Sequence, residues 1–316
     1  MSPPKDDLPS ISDAVSAFDT YTKMADFLSG VTGRLVRAEP VTYDEIEAQV
    51  ENLLAETKEH PDQTQLLIEV DTPEDYPVGH MVCVCILALR MGMELNFSHE
   101  KLMTMGIGAS LFDVGMIKLL DIASVGRNVS PLEFDEVRKH PEYSVNVIRQ
   151  IKGMPEAAVE IAMQHHERPD GKGYPYGLRA GQISELAKVV MLADVYVALT
   201  HSRPKRAGVT PHDAIKELLQ GPRLFSPHVL KALLRVITVY PIGTWVELNS
   251  RDVGRVVKLN HEQPLRPIIE VVCDYRGQRM ESKNVVNLNE RPQLYITGVV
   301  EKDHVKKWGL DELVLA

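Results

Sequence analysis

The sequence has few cysteines, no excess of positive charge and no long apolar run, and each absence excludes a class of protein. Three cysteines among 316 residues (Cys83, Cys85 and Cys273) cannot form a disulfide framework, so a reducing compartment is expected. Asp and Glu number 44 against 35 Lys and Arg, which argues against non-specific binding of duplex nucleic acid. No run approaches the roughly 18 apolar residues of a membrane helix, and the N-terminus lacks the features of a signal peptide. We therefore expect a cytoplasmic protein without a membrane span.

The hydrophobic pattern predicts a mostly α protein with a small antiparallel β appendage. Helical periodicity covers seven stretches, namely 78–93, 99–113, 131–151, 155–166, 183–200, 211–220 and 227–238. Pro141 is expected to split the third stretch, so that His140 lies at a break between two helices. Runs rich in β-branched residues then predict strands at 244–248, 253–259, 267–273 and 294–299.

Three regions follow from this pattern. We expect an N-terminal helical segment at 1–60, of which residues 1–10 are polar, Pro-rich and expected to be disordered. A helical bundle is expected at 61–240 and a β-rich appendage at 241–316.

Ionisable residues inside apolar segments are the first indication of chemistry. Asp194 lies within the almost wholly apolar segment 189–199, and Asp113 and His80 have similar surroundings. A buried carboxylate must be paired, hydrogen-bonded or bound to a metal. On its segment alone, an Asp194 that caps a helix or pairs with an Arg explains the pattern equally well. A lone histidine on an apolar face, such as His80, is more often a satisfied core residue than a ligand.

The spacing of these residues favours a shared site. His80, Asp113, His140, the pair His165 and His166, and Asp194 are separated by 25 to 33 residues, about one helix and one connection each. Successive helices of a bundle can each contribute one ligand to a common cavity. Imidazole and carboxylate together suit iron, manganese or zinc rather than calcium. The alternative for the histidine pair is a polar helix end that complements the helix dipole.

A longer motif resembles a known family. The segment 165–175, His-His-Glu-Arg-Pro-Asp-Gly-Lys-Gly-Tyr-Pro, is similar to the signature loop of the bacterial HD-GYP proteins, a branch of the HD phosphohydrolases that hydrolyses cyclic di-GMP. The resemblance covers about residues 45–240 and includes His80, 112–113, 139–141, 193–196 and 202–206. It implies that the helical region 61–240 is an HD-type bundle. It implies one metal position held by Asp113, His140, His165 and His166, and a second held by His80, Asp113, Asp194 and one further histidine.

The chain departs from the family pattern at four positions. Phe112 stands where the family has the histidine of its His-Asp pair, and Met116 where it has a phosphate-contacting lysine. Val197 replaces a frequent second aspartate, and Tyr76 replaces the glutamate that holds a third metal in some members. The resemblance therefore implies a divalent transition metal, iron or manganese, with one tight site and a second that is weak or absent.

The positions that contact the substrate in the family match better than the metal and phosphate positions do. Arg203 and Arg206 match family positions that contact the dinucleotide, and arginine offers a planar fork to phosphate or to a guanine edge. Gly173 and Tyr174 match the part of the signature loop that shapes the cavity. In the family the loop Gly173-Tyr174-Pro175 is also implicated in contacts with signalling proteins.

Three hypotheses remain at this point. The chain is a degenerate member that binds cyclic di-GMP, a related nucleotide or a protein partner with weak or no hydrolysis. Alternatively it is a working metal-dependent cyclic di-GMP phosphodiesterase, or an interaction scaffold stabilised by its metal. The missing His and Lys favour the first over the second, and the retained loop and arginines favour the first over the third.

Overall fold

A computed structural model describes residues 11–69, 76–123, 130–202, 206–220, 225–260, 262–274, 276 and 278–300. The expected disorder of residues 1–10 lies outside these ranges. The helices are α1 (Ile11–Val36), α2 (Tyr43–Glu59), α3 (Pro61–Glu69), α4 (Val78–Glu94), α5 (His99–Leu111), α6 (Leu120–Ala123), α7 (Pro131–Val137), α8 (His140–Ile148), α9 (Glu156–Gln164), α10 (Glu185–Thr200), α11 (Pro211–Gln220) and α12 (Pro227–Val236), with a short 3-10 helix at Val114–Leu119. The strands are β1 (Trp245–Leu248), β2 (Val253–Lys258), β3 (Ile268–Cys273), β4 (Arg279–Asn287) and β5 (Ile296–Val299). The predicted fold class, helices followed by a small antiparallel sheet, is confirmed.

The chain forms two compact units. The first contains α1 to α10 and α12, and the second contains α11 and the sheet. The sequence pattern grouped α11 with the other helices, whereas its apolar face packs in the unit that holds β5. The expected domain boundaries at 60/61 and 240/241 stay a prediction.

Helix α4 is the centre of the first unit. Its residues from Met81 to Leu89 are all fully buried, as expected of a helix that is apolar on every side. Helices α3, α5, α10 and α12 contact it. His80 lies at the start of this helix and is itself buried, which places an imidazole at the edge of the core.

The predicted break before His140 is present. Helix α7 ends at Val137 and α8 begins at His140, with Pro141 in its first turn. Helix α7 starts at a capping box in which Ser130 and Glu133 each accept a hydrogen bond from the other's backbone N–H. The short connection between α7 and α8 changes the direction of the chain, and the His140 side chain contacts His165 at the end of α9.

The sheet of the second unit is antiparallel, with strand order β4-β3-β2-β1-β5. Strand β4 was not predicted, because its sequence is mostly polar and lacks a run of β-branched residues. It forms an edge of the sheet and pairs with β3 alone, so its side chains need less apolar character.

Within the described ranges, one stretch, His99–Ile122, is long and apolar enough to cross a membrane by length and composition. Its most apolar window is 83% buried inside the protein. Helix α5, which forms most of it, packs against α2, α4 and α9, as a core helix does.

Candidate metal centre

His80 and Asp194 meet across the first unit. The two residues are 114 positions apart, yet His80 Nε2 lies 2.8 Å from Asp194 Oδ1 in a buried hydrogen bond. Burial by itself raises the pKa of Asp194. The hydrogen bond from His80 and the charges of the surrounding imidazoles outweigh that effect and hold the pKa below its usual range. Asp194 is therefore an anionic group inside the helical unit.

His140, His165 and Asp113 form a second group of contacts beside this pair. His140 Nε2 lies 3.0 Å from His165 Nε2. Asp113 Oδ1 lies 3.2 Å from His140 Nε2 and 3.9 Å from His165 Nε2. All three side chains are buried, so these atoms interact without bulk water between them.

The hydrogen bonds on the far side of the two imidazoles determine what this group can bind. His140 Nδ1 lies 2.7 Å from the Val137 carbonyl oxygen, and His165 Nδ1 lies 2.8 Å from that of Ala162. A carbonyl only accepts, so both Nδ1 atoms carry a hydrogen, and each ring in its neutral form presents a lone pair at Nε2. Burial, and repulsion from His166 and His140, lower the pKa of His165 well below its usual range.

Two imidazole lone pairs and a carboxylate oxygen therefore face one another. Acceptors at such distances are satisfied only when a proton or a cation lies between them. Imidazoles that donate their other nitrogen to a backbone carbonyl are the usual arrangement around protein-bound metals. This donor set fits a transition metal ion.

His166 completes the cluster. The ligand nitrogens of His140, His165 and His166 lie within 4.8 Å of one another, so they could hold one ion. His166 Nδ1 is also 3.9 Å from Asp194 Oδ2, which connects this cluster to the His80–Asp194 pair. The structure thus brings together all six residues that the sequence predicted as ligands: His80, Asp113, His140, His165, His166 and Asp194.

Phe112 lies among these ligands. Its side chain is fully buried, its ring centroid is 4.8 Å from that of His165, and it is 6.0 Å from that of His80. Met116 and Val197 are buried as well, and the Tyr76 ring lies 6.0 Å from His80. The departures from the family pattern are thus part of the site or of the core beside it.

The signature loop is held by a residue that the sequence analysis did not select. The Glu167 side chain is buried and accepts hydrogen bonds from the N–H groups of Tyr176 and Leu178, at 2.7 and 2.8 Å. A buried carboxylate that receives two backbone N–H bonds orders the chain around it. The position of Glu167 directly after the histidine pair could have indicated a role in the site. Its neighbours in the sequence are polar, however, so the sequence did not predict that it is buried.

Gly173 and Tyr174 occupy the tight part of this loop. A Cβ on Gly173 would lie 2.3 Å from Arg168 N and 2.5 Å from Glu167 Cα. The close backbone approach lets the Tyr174 N–H bond the His166 carbonyl at 3.1 Å. The Tyr174 ring then stacks on His166, with centroids 4.7 Å apart and an interplanar angle of 30°. Tyr174 thereby forms a wall beside the metal cluster.

Gly173→Ala is expected to destabilise the loop, because the added methyl meets backbone rather than a side-chain end. Overpacking of this kind costs about 1–3 kcal/mol or more, so the thermal midpoint should fall by several degrees. Gly181→Ala is the matched control, since no atom lies within 4 Å of the position that its added methyl would take. Equal midpoints for the two variants would contradict the close approach at Gly173.

The structure supports the two predicted substrate-binding arginines, Arg203 and Arg206, less than it supports the metal ligands. Arg206 is exposed, and its guanidinium donates to the Ala198 carbonyl of α10. Arg203 lies outside the described residues. Their contact with a dinucleotide stays a prediction.

Comparison with known proteins agrees with this site. Residues 48–228 match the HD domain family, and residues 245–308 match a KOW domain associated with HD domains. The chain therefore belongs to the HD domain family and, within it, to the HD-GYP proteins.

Three individual relatives are at most 30% identical to this chain over the matched residues. A cyclic di-GMP phosphodiesterase of Pseudomonas aeruginosa is 30% identical over 77% of this chain and 59% of its own length. A 3'3'-cGAMP-specific phosphodiesterase of Vibrio cholerae is 25% identical over 54% of this chain and 38% of its own length. The chain thus spans about 40–60% of these two relatives. A solved HDG"Y"P protein from Bdellovibrio bacteriovorus shares the fold, with a TM-score of 0.60 and 18% identity over 72% of this chain and 73% of that one.

Proposed function

We propose that this chain binds a cyclic dinucleotide, cyclic di-GMP in the first instance, at a metal centre with one tight site, and hydrolyses it slowly or not at all. The names of its relatives support the ligand class. The donor set described above supports the metal. The fully buried Phe112 carries the proposal of reduced hydrolysis.

The tight site would use Asp113, His140, His165 and His166. Neutral imidazoles with a carboxylate suit iron or manganese, and a bound ion of this kind neutralises phosphate charge and acts as a Lewis acid. A second site would have His80, Asp194 and the shared Asp113. A metal held there would take the place of the hydrogen bond between His80 and Asp194.

Phe112 weakens that second site. A phenyl ring offers no lone pair, and this ring contacts an imidazole from each group, His80 and His165. Three ligands, one of them shared, would remain. Loss of even an outer-shell partner of a metal ligand costs about 10–100-fold in metal affinity or activity, so loss of a ligand is expected to cost at least that.

Met116 removes a second element of the reaction. Its side chain is apolar and buried, so it supplies no positive charge as negative charge develops on phosphate. Lys118 does not replace it, because residues two apart in a helix lie on different faces, and the Lys118 Nζ lies over the Tyr143 ring, 5.9 Å from its centroid. Binding needs less than hydrolysis, since one ion together with Arg203 and Arg206 would be enough to hold the phosphates.

A working phosphodiesterase is the second candidate, because the relatives are named as phosphodiesterases, although those names do not support it better than binding without hydrolysis. Calorimetric titration with cyclic di-GMP, beside a hydrolysis time course with manganese or ferrous iron, separates the two. Binding with turnover far below the usual ~1–10³ s⁻¹ supports our proposal. Brisk hydrolysis would overturn it, and absence of binding would leave an interaction scaffold. A signalling partner at the loop 173–175 stays a prediction.

The metal content gives an independent test. We expect about one tightly bound metal ion per wild-type chain, because four ligands are intact at one position and three at the other. Phe112→His should raise the occupancy of the second position, measured by elemental analysis after dialysis against manganese.

Phe112→Leu is the matched control for the change in volume. It supplies no ligand atom and should leave the metal content of the wild type unchanged. Two equally tight metals in the wild-type chain would contradict the role assigned to Phe112.

A further inference from the structure

Arg138 stands between α7 and the metal cluster. It ends α7, with its backbone N–H bonded to the Phe134 carbonyl at 3.0 Å, and it precedes His140 by two residues. Its side chain is exposed, and its guanidinium carbon lies 4.9 Å from the centroid of the Tyr174 ring.

The stack continues from Arg138 into the site. The Tyr174 ring lies on His166, and His166 contacts His140 at a centroid distance of 4.8 Å. The guanidinium is therefore separated from a candidate metal ligand by one aromatic ring. Arginine stacked on an aromatic face is held in place while its N–H groups stay available at the edge.

Charge distinguishes Arg138 from its neighbour. Lys139 is paired with Glu136 at 2.7 Å, whereas the part of the chain that the structure describes provides no ion pair for Arg138. Because the Arg138 side chain is exposed, a ligand in solution can reach its guanidinium. Arg206 is directed to the Ala198 carbonyl. Lys118 lies over the Tyr143 ring, whereas Arg138 lies over the Tyr174 ring, which contacts His166 and His140.

We propose that Arg138, stacked over Tyr174, binds a phosphate of the cyclic dinucleotide at the rim of the metal centre. This inference rests on the proposed function. A guanidinium matches two phosphate oxygens through parallel N–H groups. Arg138 would thereby contact the substrate directly. It would supply part of the positive charge that is lost because Met116 stands where the family has a lysine.

The test compares Arg138→Gln with Lys139→Gln, two adjacent exposed residues that lose the same charge. We expect the affinity for cyclic di-GMP, measured by calorimetry with manganese present, to fall about tenfold or more in Arg138→Gln. Lys139→Gln should change it less than about twofold, because that charge is already paired. Arg138→Lys should retain part of the affinity.

Salt dependence and metal content identify the mechanism. The dissociation constant of Arg138→Gln should depend less steeply on salt than that of the wild type, with unchanged manganese content. Wild-type affinity in Arg138→Gln, or loss of its manganese, would overturn this inference alone. Failure of the wild-type chain to bind cyclic di-GMP would instead overturn the proposed function on which it rests.

Discussion

The double variant Phe112→His with Met116→Lys is expected to hydrolyse cyclic di-GMP about 10³-fold faster than the wild-type chain, or more. The histidine would restore a ligand between His80 and His165, where the buried phenyl ring now lies. The lysine would restore a charge beside the phosphate. One such donor contributes about 10²–10³-fold in kcat, and a restored ligand contributes at least the 10–100-fold associated with outer-shell partners.

Affinity should change much less than turnover in this variant. Binding draws on the intact metal ligands and on Arg138, none of which is altered in this variant, so the dissociation constant should stay within about tenfold. The measurements are single-turnover hydrolysis with manganese and calorimetric titration of the same samples.

Phe112→Leu with Met116→Leu is the control, since it changes both volumes but adds neither a ligand nor a charge. It should remain as slow as the wild type. An unchanged rate in the His and Lys variant, with two metals bound, would contradict the assignment of these two positions to the reaction.

His165→Ala is expected to weaken the tight metal by about 100-fold or more. His165 is fully buried, and its Nε2 lies within 4 Å of both His140 Nε2 and Asp113 Oδ1. Its loss removes a central ligand, which should cost at least as much as loss of an outer-shell partner. Competition with a metal chelator measures this change without reference to activity.

Thermal unfolding provides a second readout for the same variant. A metal that binds only the folded chain at 100 times its dissociation constant stabilises it by about 2.7 kcal/mol. Manganese should therefore raise the wild-type midpoint and leave that of His165→Ala almost unchanged. His99→Ala is the control, because this side chain is 57% exposed and pairs with Glu51 at the surface. Equal metal effects on both variants would remove His165 from the ligand set.

Local sequence patterns determined most of the helices. Helical periodicity is set by neighbours within a few residues, so the apolar stretches 211–220 and 227–238 correspond closely to α11 and α12. The grouping of α11 with the sheet depends on packing between residues distant in the chain, and periodicity carries no such information. The sequence pattern did not predict strand β4 for the same reason. Pairing with β3, a distant segment, forms this strand, and its own sequence is mostly polar.

The sequence by itself also determined which chemical groups are available. Six ionisable residues in apolar or helix-end positions, and the residues Phe112 and Met116 at two family positions, are visible in the chain as written. The distances between these side chains in the folded protein are a different matter, because spacing along the chain does not determine them.

Only the tertiary structure decided how these groups are arranged. It places His80 2.8 Å from Asp194 across 114 positions, and it directs the lone pairs of His140 and His165 at each other. It also buries Glu167 under the loop and stacks Arg138 on Tyr174. These contacts depend on the helix crossings and on a close backbone approach at Gly173, which are properties of the packed chain and not of any one segment.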